Sequence, residues 1–336
     1  MMNRIDTLFN TLSLNNETAL IPFIPINWPT ADQTIQIVEN ALDAGAHAIE
    51  LGVPFSDPLA DGATNQLAYQ EALNNGASMQ ELFKIVETLR NKKIEKPIVV
   101  FSYFNPIHQY GLQNFVNKAK EVGLDGVIVV DLPPEESKIF SELCSENSLH
   151  QIFLLAPTST DARIENVTKQ ATGFIYCVSV SGTTGVRENF SEDLIHFVEK
   201  IKLHTKVPIV IGFGISSKKH IEFVRKIADG AVVGSAFVES IRANQEKDQY
   251  GKITEFTISP DNIGLPTASL DQLRGGDGQH NARYLRALLE GETGPYHDVV
   301  LFNSAAALVA GGYAENLQDG ASKAQAALNS GNALAA

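Results

Sequence analysis

Cysteine is scarce in this chain, with only Cys144 and Cys177 among 336 residues. Two thiols cannot form a disulfide framework, which is typical of a protein from a reducing compartment. No cluster of cysteine and histidine in the sequence has the spacing of metal ligands. The apolar runs are strand-sized, well short of the ~20 residues of a membrane helix, and the first residues lack the apolar core of a signal peptide. We therefore expect a cytoplasmic protein that binds no metal.

Positive charge is also in deficit, because 26 lysine and arginine residues stand against 39 aspartate and glutamate residues, for a formal net charge of -13. A general nucleic-acid binder needs a cationic face for phosphates, so this class of protein is disfavoured. A small phosphorylated ligand remains compatible with the charge, because backbone N–H groups can hold one anion. The hydrophobic content of 44% is sufficient for a full core.

Short apolar runs alternate with longer amphipathic stretches from residue 20 onward. Each run is nearly all apolar, as expected for strands that are buried on both faces of a parallel sheet. In the stretch Thr30–Gly45, Thr30 is a candidate N-cap and Gly45 a candidate C-terminal stop. Eight such units in about 240 residues predict an α/β protein with a (β/α)8 TIM barrel, because an open doubly wound sheet usually stops at five or six strands. The predicted strands are Leu20–Ile24, Ala48–Val53, Pro97–Ser102, Gly126–Val130, Gln151–Leu155, Gly173–Val178, Val207–Gly212 and Asp229–Gly234.

The second predicted strand carries a carboxylate, Glu50, among alanine, isoleucine and leucine neighbours. Burial of a carboxylate among apolar side chains is costly and raises its pKa towards the range that is useful for proton transfer. Because no cationic residue lies in the strand beside it, we favour a catalytic role for Glu50 over that of a paired structural carboxylate. Asp57 and Asp61 follow in a loop with prolines and a glycine, and we interpret Asp57 as a loop cap.

Glycine-containing turns follow the seventh and eighth predicted strands. Gly214 lies in the turn Gly212–Ser216, and Gly234 and Ser235 stand at the start of the next helix. Backbone N–H groups and a helix dipole at such turns form the recurrent phosphate site of a barrel. With Gly185 in the preceding loop, the pattern predicts a phosphorylated substrate. The alternative is that these glycines only shape turns.

Seven strings occur in order along residues 1–245: Pro22–Ile24, Glu50–Gly62, Tyr103–Pro106, Val130–Pro133, Ser181–Gly185, Gly212–Ser216 and Gly234-Ser235. Together they closely resemble the signature of the tryptophan synthase alpha chain family. The resemblance implies a TIM barrel that cleaves indole-3-glycerol phosphate into indole and glyceraldehyde 3-phosphate, a lyase reaction of tryptophan biosynthesis.

The resemblance also implies roles for individual residues. Glu50 would be the acid/base that moves protons between the 3′-hydroxyl of the substrate and C3 of the indole. Asp61 would hold the indole N–H and stabilise positive charge on the ring, and Thr184 would reach Asp61 when the sixth loop closes. The pocket would be lined by Phe23, Tyr103 and Tyr176, and the phosphate would be held by Gly185, Gly214, Gly234 and Ser235.

The residue types are consistent with cleavage without a cofactor in this chain. Many aldolases absorb the electrons of the departing carbon with a lysine Schiff base or a metal, but here no lysine ends a predicted strand. Protonation of C3 makes the indole ring the electron sink, so two carboxylates suffice. The resemblance implies an alpha2-beta2 complex with a beta subunit that carries pyridoxal phosphate. The surface of this chain that docks the beta subunit would be the barrel mouth, especially Asp57, Pro58, Asn105, Pro106, Asp131, Pro133 and Pro134.

The first loop departs from the family pattern. It reads Pro25–Pro29 where the family has a Gly-Asp-Pro turn, and it contains Trp28, the only tryptophan of the chain. Asparagine can replace glycine in a left-handed turn, so we expect Asn27 to preserve the barrel.

The character of the chain changes after residue 245. Lys252–Ser259 alternates like a half-exposed strand, and helical patterns follow near Asn281–Glu290, Asp298–Ala310 and Ser322–Leu328. Several pieces resemble the C-terminal part of anthranilate phosphoribosyltransferase, namely Ser259–Asp261, Gly264-Leu265, Leu273–Asp277, Asn281, Asn303, Ala305 and Ala306. The resemblance implies that the residues of that family that hold phosphoribosyl pyrophosphate lie in an absent upstream portion. We therefore predict a barrel domain over residues 1–245 and a mainly helical fragment over 246–336 that lacks this site.

Two alternative functions stay open. One is a catalytically impaired chimera that still binds and activates the beta subunit, because the tail replaces the helix that closes the barrel in the family. The other is a different phosphate-binding barrel, such as an epimerase or a phosphate synthase. Such a barrel would share the glycine turns, but it would not account for the whole string Glu50–Gly62.

Overall fold

The computed structural model describes residues 3–178, 192–212, 214–244, 260–273, 278–310 and 313–330. The chain divides into two compact units, Met1–Ile253 and Thr254–Ala336. Within the described ranges, no helix is both long enough and apolar enough to cross a membrane.

The first unit contains the strands β1 (Ala19–Pro25), β2 (Ile49–Gly52), β3 (Ile98–Ser102), β4 (Gly126–Val129), β5 (His150–Ile152), β6 (Leu154–Leu155), β7 (Ile175–Val178), β8 (Ile209–Gly212) and β9 (Gly230–Val233). Their order in the sheet is β5-β4-β3-β2-β1-β9-β8-β7-β6, and neighbouring strands are parallel. Only Phe153 separates β5 from β6, and its carbonyl accepts a hydrogen bond from the Tyr176 N–H at 3.0 Å. These two short strands therefore act as one, and the predicted (β/α)8 barrel is confirmed.

Helices precede, connect and follow these strands: α1 (Arg4–Asn15), α2 (Ala31–Asp43), α3 (Ala63–Asn74), α4 (Met79–Asn91), α5 (Phe104–Tyr110), α6 (Leu112–Val122), α7 (Lys138–Glu146), α8 (Asp161–Gln170), α9 (Glu192–Lys202), α10 (Lys218–Ile227) and α11 (Ser235–Asn244). α2 begins as predicted, because the Thr30 hydroxyl accepts a hydrogen bond from the Gln33 N–H. It ends before Gly45, whose φ of 105° no other residue type adopts readily. α2 buries Ile37 and Ala41, which are four residues apart and share one face.

The strands are buried on both sides, between the barrel interior and the surrounding helices. Every residue of β3, β4 and β8 is buried. Each buried valine, isoleucine or leucine side chain stabilises the fold by roughly 1.5–3 kcal/mol relative to its exposed state. Because neither face of such a strand meets water, its sequence is continuously apolar.

A buried aspartate, Asp125, joins several elements at the amino-terminal face of the barrel. It directly precedes β4, and its side chain is 3% exposed. Its Oδ2 accepts a hydrogen bond from the Ile98 N–H at 2.8 Å and lies 2.7 Å from Nη2 of Arg90, while Oδ1 lies 3.0 Å from Nη1 of Arg4. Because Arg4 belongs to α1, this carboxylate holds the first helix against the start of β3 and β4.

The loop after β1 contains the turn that the sequence predicted. Asn27 has a φ of 56°, which confirms the left-handed conformation. Trp28 is fully buried, and its indole N–H donates a hydrogen bond to Oε2 of Glu71 in α3 at 2.7 Å. Arg242 in α11 donates to both oxygens of Glu71, at 2.9 and 3.0 Å, and lies over the Trp28 ring. These contacts join the first loop, α3 and α11.

The second unit consists of the 3-10 helices Pro260–Ile263 and Leu270–Leu273 and the helices α12 (Gly278–Leu289), α13 (Pro295–Ala310) and α14 (Leu317–Asn329). α13 and α14 approach closely, because a Cβ atom at Gly320 would lie 2.6 Å from the carbonyl oxygen of Ala305. Ile263, Ala305 and Ala321 form a small core. The predicted helices of the tail are confirmed, whereas the predicted strand Lys252–Ser259 lies outside the described residues.

Candidate active site

Glu50 lies inside the barrel on β2, in register with Phe23 of β1 and Val99 of β3. It is 1% exposed, and its Oε2 has no hydrogen-bond partner in the described part of the chain. Burial, and after it the charge of Asp61, raises the pKa of Glu50 from 4.5 to about 8. A carboxyl group with this pKa is mostly protonated at neutral pH and can both donate and accept a proton.

Asp61 lies in the loop between β2 and α3 and is 7% exposed. The Tyr103 hydroxyl donates a hydrogen bond to its Oδ2 at 2.7 Å, and Nδ2 of Asn65 donates to its Oδ1 at 3.2 Å. Burial raises the pKa of Asp61, whereas these two hydrogen bonds lower it. The side-chain amide of Gln66 also donates to the Asp61 backbone carbonyl at 2.8 Å. The donors therefore fix the orientation of the carboxyl group, and those on its two oxygens favour its charged form.

Tyr103 holds the Asp61 loop against the end of β3. Its hydroxyl accepts a hydrogen bond from the Ala60 N–H at 2.9 Å, and its ring centre lies 5.3 Å from that of Phe55. Burial, followed by the hydrogen bond to Asp61, raises the pKa of Tyr103. The phenol therefore keeps its proton at neutral pH and acts as a donor to Asp61.

Aromatic side chains occupy the barrel interior around Glu50. The Phe23 ring packs edge-on against Phe101, with 5.6 Å between ring centres, and a Cβ atom at Gly52 would lie 2.5 Å from its Cζ. Tyr176 is 2% exposed and lies over Gly212, where a Cβ atom would overlap its ring. Burial and then the charges of Glu50 and Asp61 raise the pKa of Tyr176. The Tyr176 hydroxyl therefore lies within the electrostatic field of both carboxyl groups. Glycine at these two strand ends leaves room for the rings.

Three of the predicted phosphate-binding residues follow β8 and β9. Gly214 is exposed with a φ of 74°. Gly234 directly precedes α11, and its carbonyl accepts hydrogen bonds from the Phe237 and Val238 N–H groups at 2.9 and 3.1 Å. Ser235 is exposed and begins α11. Both turns thus lie at the carboxyl-terminal end of the barrel, where Glu50 and Asp61 also lie. The fourth predicted phosphate-binding residue, Gly185, lies outside the described residues, as does Thr184, the predicted partner of Asp61.

Two polar residues of α3 were not singled out from the sequence. Asn65 donates to Asp61, and its own Oδ1 is buried without a partner among the described residues. Tyr69 is 1% exposed, and its hydroxyl is likewise buried without a partner in that part of the chain. The available signal was their spacing, because residues four apart on a helix share one face.

Comparisons with known proteins agree with this geometry. The profile of the family described as "Tryptophan synthase alpha chain" matches residues 9–262, and that of "Glycosyl transferase family, a/b domain" matches residues 224–334. The tryptophan synthase alpha chain of Roseiflexus castenholzii is 42% identical over 255 residues, which are 76% of this chain and 98% of that protein. The protein of the same name from Acinetobacter baumannii is 40% identical over 266 residues, or 78% of this chain and 100% of that protein.

Solved structures give the same result. Tryptophan synthase subunit alpha from Legionella pneumophila aligns with a TM-score of 0.68 at 33% identity, covering 73% of this chain and 91% of that one. A chain of tryptophan synthase from Mycobacterium tuberculosis aligns with a TM-score of 0.67 at 31% identity, covering 72% and 92%. The chain therefore belongs to the tryptophan synthase alpha chain family, whose members are lyases that cleave indole-3-glycerol phosphate in tryptophan biosynthesis.

Proposed function

We propose that this chain cleaves indole-3-glycerol phosphate with Glu50 as the acid/base and Asp61 as the group that holds the indole N–H. The observation that carries this proposal is the unequal environment of the two carboxyl groups. Glu50 is buried, its pKa is raised to about 8, and one of its oxygens has no partner among the described residues, whereas Asp61 receives hydrogen bonds on both oxygens. Carboxyl groups whose environments differ in this way are suited to opposite roles in proton transfer.

The reaction then follows from these roles. Glu50 donates its proton to C3 of the indole, and Asp61 stabilises the positive charge that the ring acquires through the N–H. The Glu50 carboxylate next takes the proton of the 3′-hydroxyl, whose O–H electrons form the carbonyl of glyceraldehyde 3-phosphate. The bond between C3 and C3′ breaks, its electron pair returns to the ring, and indole leaves.

In the same proposal, Phe23, Tyr103 and Tyr176 form the walls around the indole and glycerol portions. Their burial beside Glu50 supports this assignment, since an apolar enclosure excludes water from the reacting atoms. The phosphate is held by Gly214, Gly234 and Ser235, together with Gly185 on the sixth loop, and Thr184 of the same loop reaches Asp61. The support is the position of α11, whose amino-terminal N–H groups and dipole favour an anion.

The proposed chemistry gives this chain no cofactor of its own, because the protonated indole accepts the electrons. Pyridoxal phosphate belongs to the beta subunit, with which the chain would form an alpha2-beta2 complex in the cytoplasm. The loop after β2 supports a docking surface at the barrel mouth, because Leu59 is 94% exposed beside the exposed Asp57. Pro134 is removed from the predicted surface, since it is buried and therefore unable to contact a partner.

We assign the barrel to residues 1–245 and a separate fragment to residues 246–336. The glycosyl transferase match supports a foreign origin for the second segment, although it begins within the barrel at residue 224. We propose no transferase activity for this segment, because it resembles only the C-terminal part of anthranilate phosphoribosyltransferase. Assay of the full chain with phosphoribosyl pyrophosphate and anthranilate is expected to give no product, and turnover would contradict this assignment.

The central experiment is indole release from indole-3-glycerol phosphate by the full chain and by Glu50→Gln. We expect kcat to fall by at least about 100-fold, because the amide can neither donate nor accept the transferred proton. The matched control is Glu146→Gln on α7, an exposed glutamate on which the same change should leave kcat unaltered. Retained cleavage in Glu50→Gln would contradict the assignment. Stimulation of a beta subunit without cleavage by the unmodified chain would instead favour the impaired chimera.

A further inference from the structure

Tyr69 of α3 carries a buried polar group that has no role in the described part of the fold. The residue is 1% exposed, and its hydroxyl has no hydrogen-bond partner among the described residues. Burial of an unpaired hydroxyl lowers stability, and phenylalanine would provide the same ring without this cost. The ring itself packs edge-on against Phe23, with 6.2 Å between ring centres. A structural role therefore accounts for the ring but not for the hydroxyl.

The position of this hydroxyl is defined by Gly52 at the end of β2. A Cβ atom built on Gly52 would lie 2.9 Å from the Tyr69 hydroxyl oxygen. Gly52 is two residues beyond Glu50, and residues two apart in a strand point to the same face. The hydroxyl therefore lies in the barrel interior, one layer nearer the mouth than the Glu50 side chain.

The Tyr69 hydroxyl and Oε2 of Glu50 are thus two buried polar atoms of the barrel interior that lack a hydrogen-bond partner among the described residues. Burial, followed by the charges of Asp61 and other neighbours, raises the pKa of Tyr69, so the phenol remains a donor at neutral pH. Oε2 of Glu50 accepts a proton when the group is ionised. A hydroxyl group of the substrate satisfies both, because it can accept one hydrogen bond and donate another.

We propose that Tyr69 is a catalytic residue whose hydroxyl donates a hydrogen bond to the 3′-oxygen of indole-3-glycerol phosphate, an inference that rests on the proposed function. Glu50 takes the proton from this oxygen as the bond between C3 and C3′ breaks. Tyr69 keeps its own proton and stabilises the negative charge that the oxygen carries before the carbonyl is complete. The same hydrogen bond orients the hydroxyl towards Glu50 in the bound substrate.

The test compares the unmodified chain with Tyr69→Phe, which removes one oxygen and keeps the ring. We expect kcat/KM for indole release to fall by about 10- to 100-fold, and the urea midpoint of unfolding to stay unchanged or rise. The control is Tyr110→Phe, because Tyr110 ends α5 and its ring packs on Phe83 of α4, a contact outside the proposed site. A competitive inhibitor that lacks the 3′-hydroxyl, the 3′-deoxy analogue of the substrate, should keep its Ki within about twofold in Tyr69→Phe, since it has no oxygen for Tyr69 to contact.

An unchanged kcat/KM in Tyr69→Phe would overturn the inference. So would a Ki of the deoxy analogue that rises by the same factor as kcat/KM falls, because the hydroxyl would then act through the shape of the pocket. If the unmodified chain does not cleave the substrate, the proposed function fails, but calorimetry still tests the inference separately. Tyr69→Phe should then weaken binding of the substrate and leave binding of the deoxy analogue unaltered, and equal effects on both would refute it.

Discussion

The two ends of this barrel each bury a carboxylate, and they treat it in opposite ways. At the amino-terminal face, Asp125 meets two arginines and a backbone N–H. Towards the carboxyl-terminal face, Glu50 is 1% exposed, its pKa is raised to about 8, and one of its oxygens has no partner in the part of the chain that the structure describes. Stability alone selects the arrangement of Asp125, because an unpaired buried charge is costly. The arrangement of Glu50 agrees instead with the proton transfer that we propose for it.

The largest expected effect is a difference in the free energy of unfolding between variants of these two carboxylates. Asp125→Asn should lower the free energy of unfolding by about 3–5 kcal/mol, because the Arg90 guanidinium, 11% exposed, loses its buried counter-charge. Glu50→Gln makes the same chemical change at the other end of the barrel and should cause no loss of stability, since it removes a desolvated carboxyl group. Urea unfolding at neutral pH measures both. A similar loss of unfolding free energy in the two variants would contradict the proposed difference between the two ends of the barrel.

A smaller effect, on activity alone, is expected when the hydrogen-bond donor to Asp61 is removed. Tyr103→Phe removes the donor to Oδ2 of Asp61, so kcat/KM for indole release should fall by about 10-fold. Without this hydrogen bond the pKa of Asp61 rises further, and activity should disappear at a higher pH on the acidic side of the pH–rate profile. Tyr110→Phe serves again as the control, with an unchanged profile. An acidic limb that stays in place in Tyr103→Phe would show that Asp61 does not depend on this donor.

The smallest effect concerns Glu71, a carboxylate of intermediate exposure. The pKa of Glu71 lies below its ordinary 4.5, mainly because of the hydrogen bond from Arg242. Its contribution to stability is therefore complete above about pH 4.5 and is lost as the pH falls through the depressed value. The side chains of Arg242 and Glu71 are 33% and 38% exposed, so solvent screening limits the loss in Glu71→Gln to about 0.5–1 kcal/mol at neutral pH. Urea unfolding should show this loss shrinking towards pH 3, and a loss that grows in acid would contradict the sign.

The barrel and the burial of Glu50 were predictable because their signals are local. The strands are buried on both faces, so each one reads as an apolar run, as in Ile98–Ser102. Glu50 was conspicuous because it interrupts such a run without a cationic neighbour. The roles of Asp61 and the phosphate turns came from the resemblance of ordered strings, and they remain proposals for this chain.

Other features depend on contacts between distant parts of the chain, which no local pattern contains. The partners of Asp125 lie 121 and 35 residues away in the sequence, and Arg242 lies 171 residues from Glu71. Tyr69 was not singled out from the sequence, because its hydroxyl meets the site only after α3 packs on β1. Helical spacing gives the face of a helix but not what that face covers.

The most direct test of the account is a titration of the Glu50 carboxyl group. The infrared carboxyl absorption of the unmodified chain, minus that of Glu50→Gln, can be followed from about pH 4 to about pH 10. We predict that the difference signal of the protonated carboxyl disappears with a midpoint near pH 8, the value to which burial and Asp61 raise the Glu50 pKa. A midpoint near the ordinary 4.5 would mean that Glu50 is ionised at neutral pH and has no proton to give to the indole.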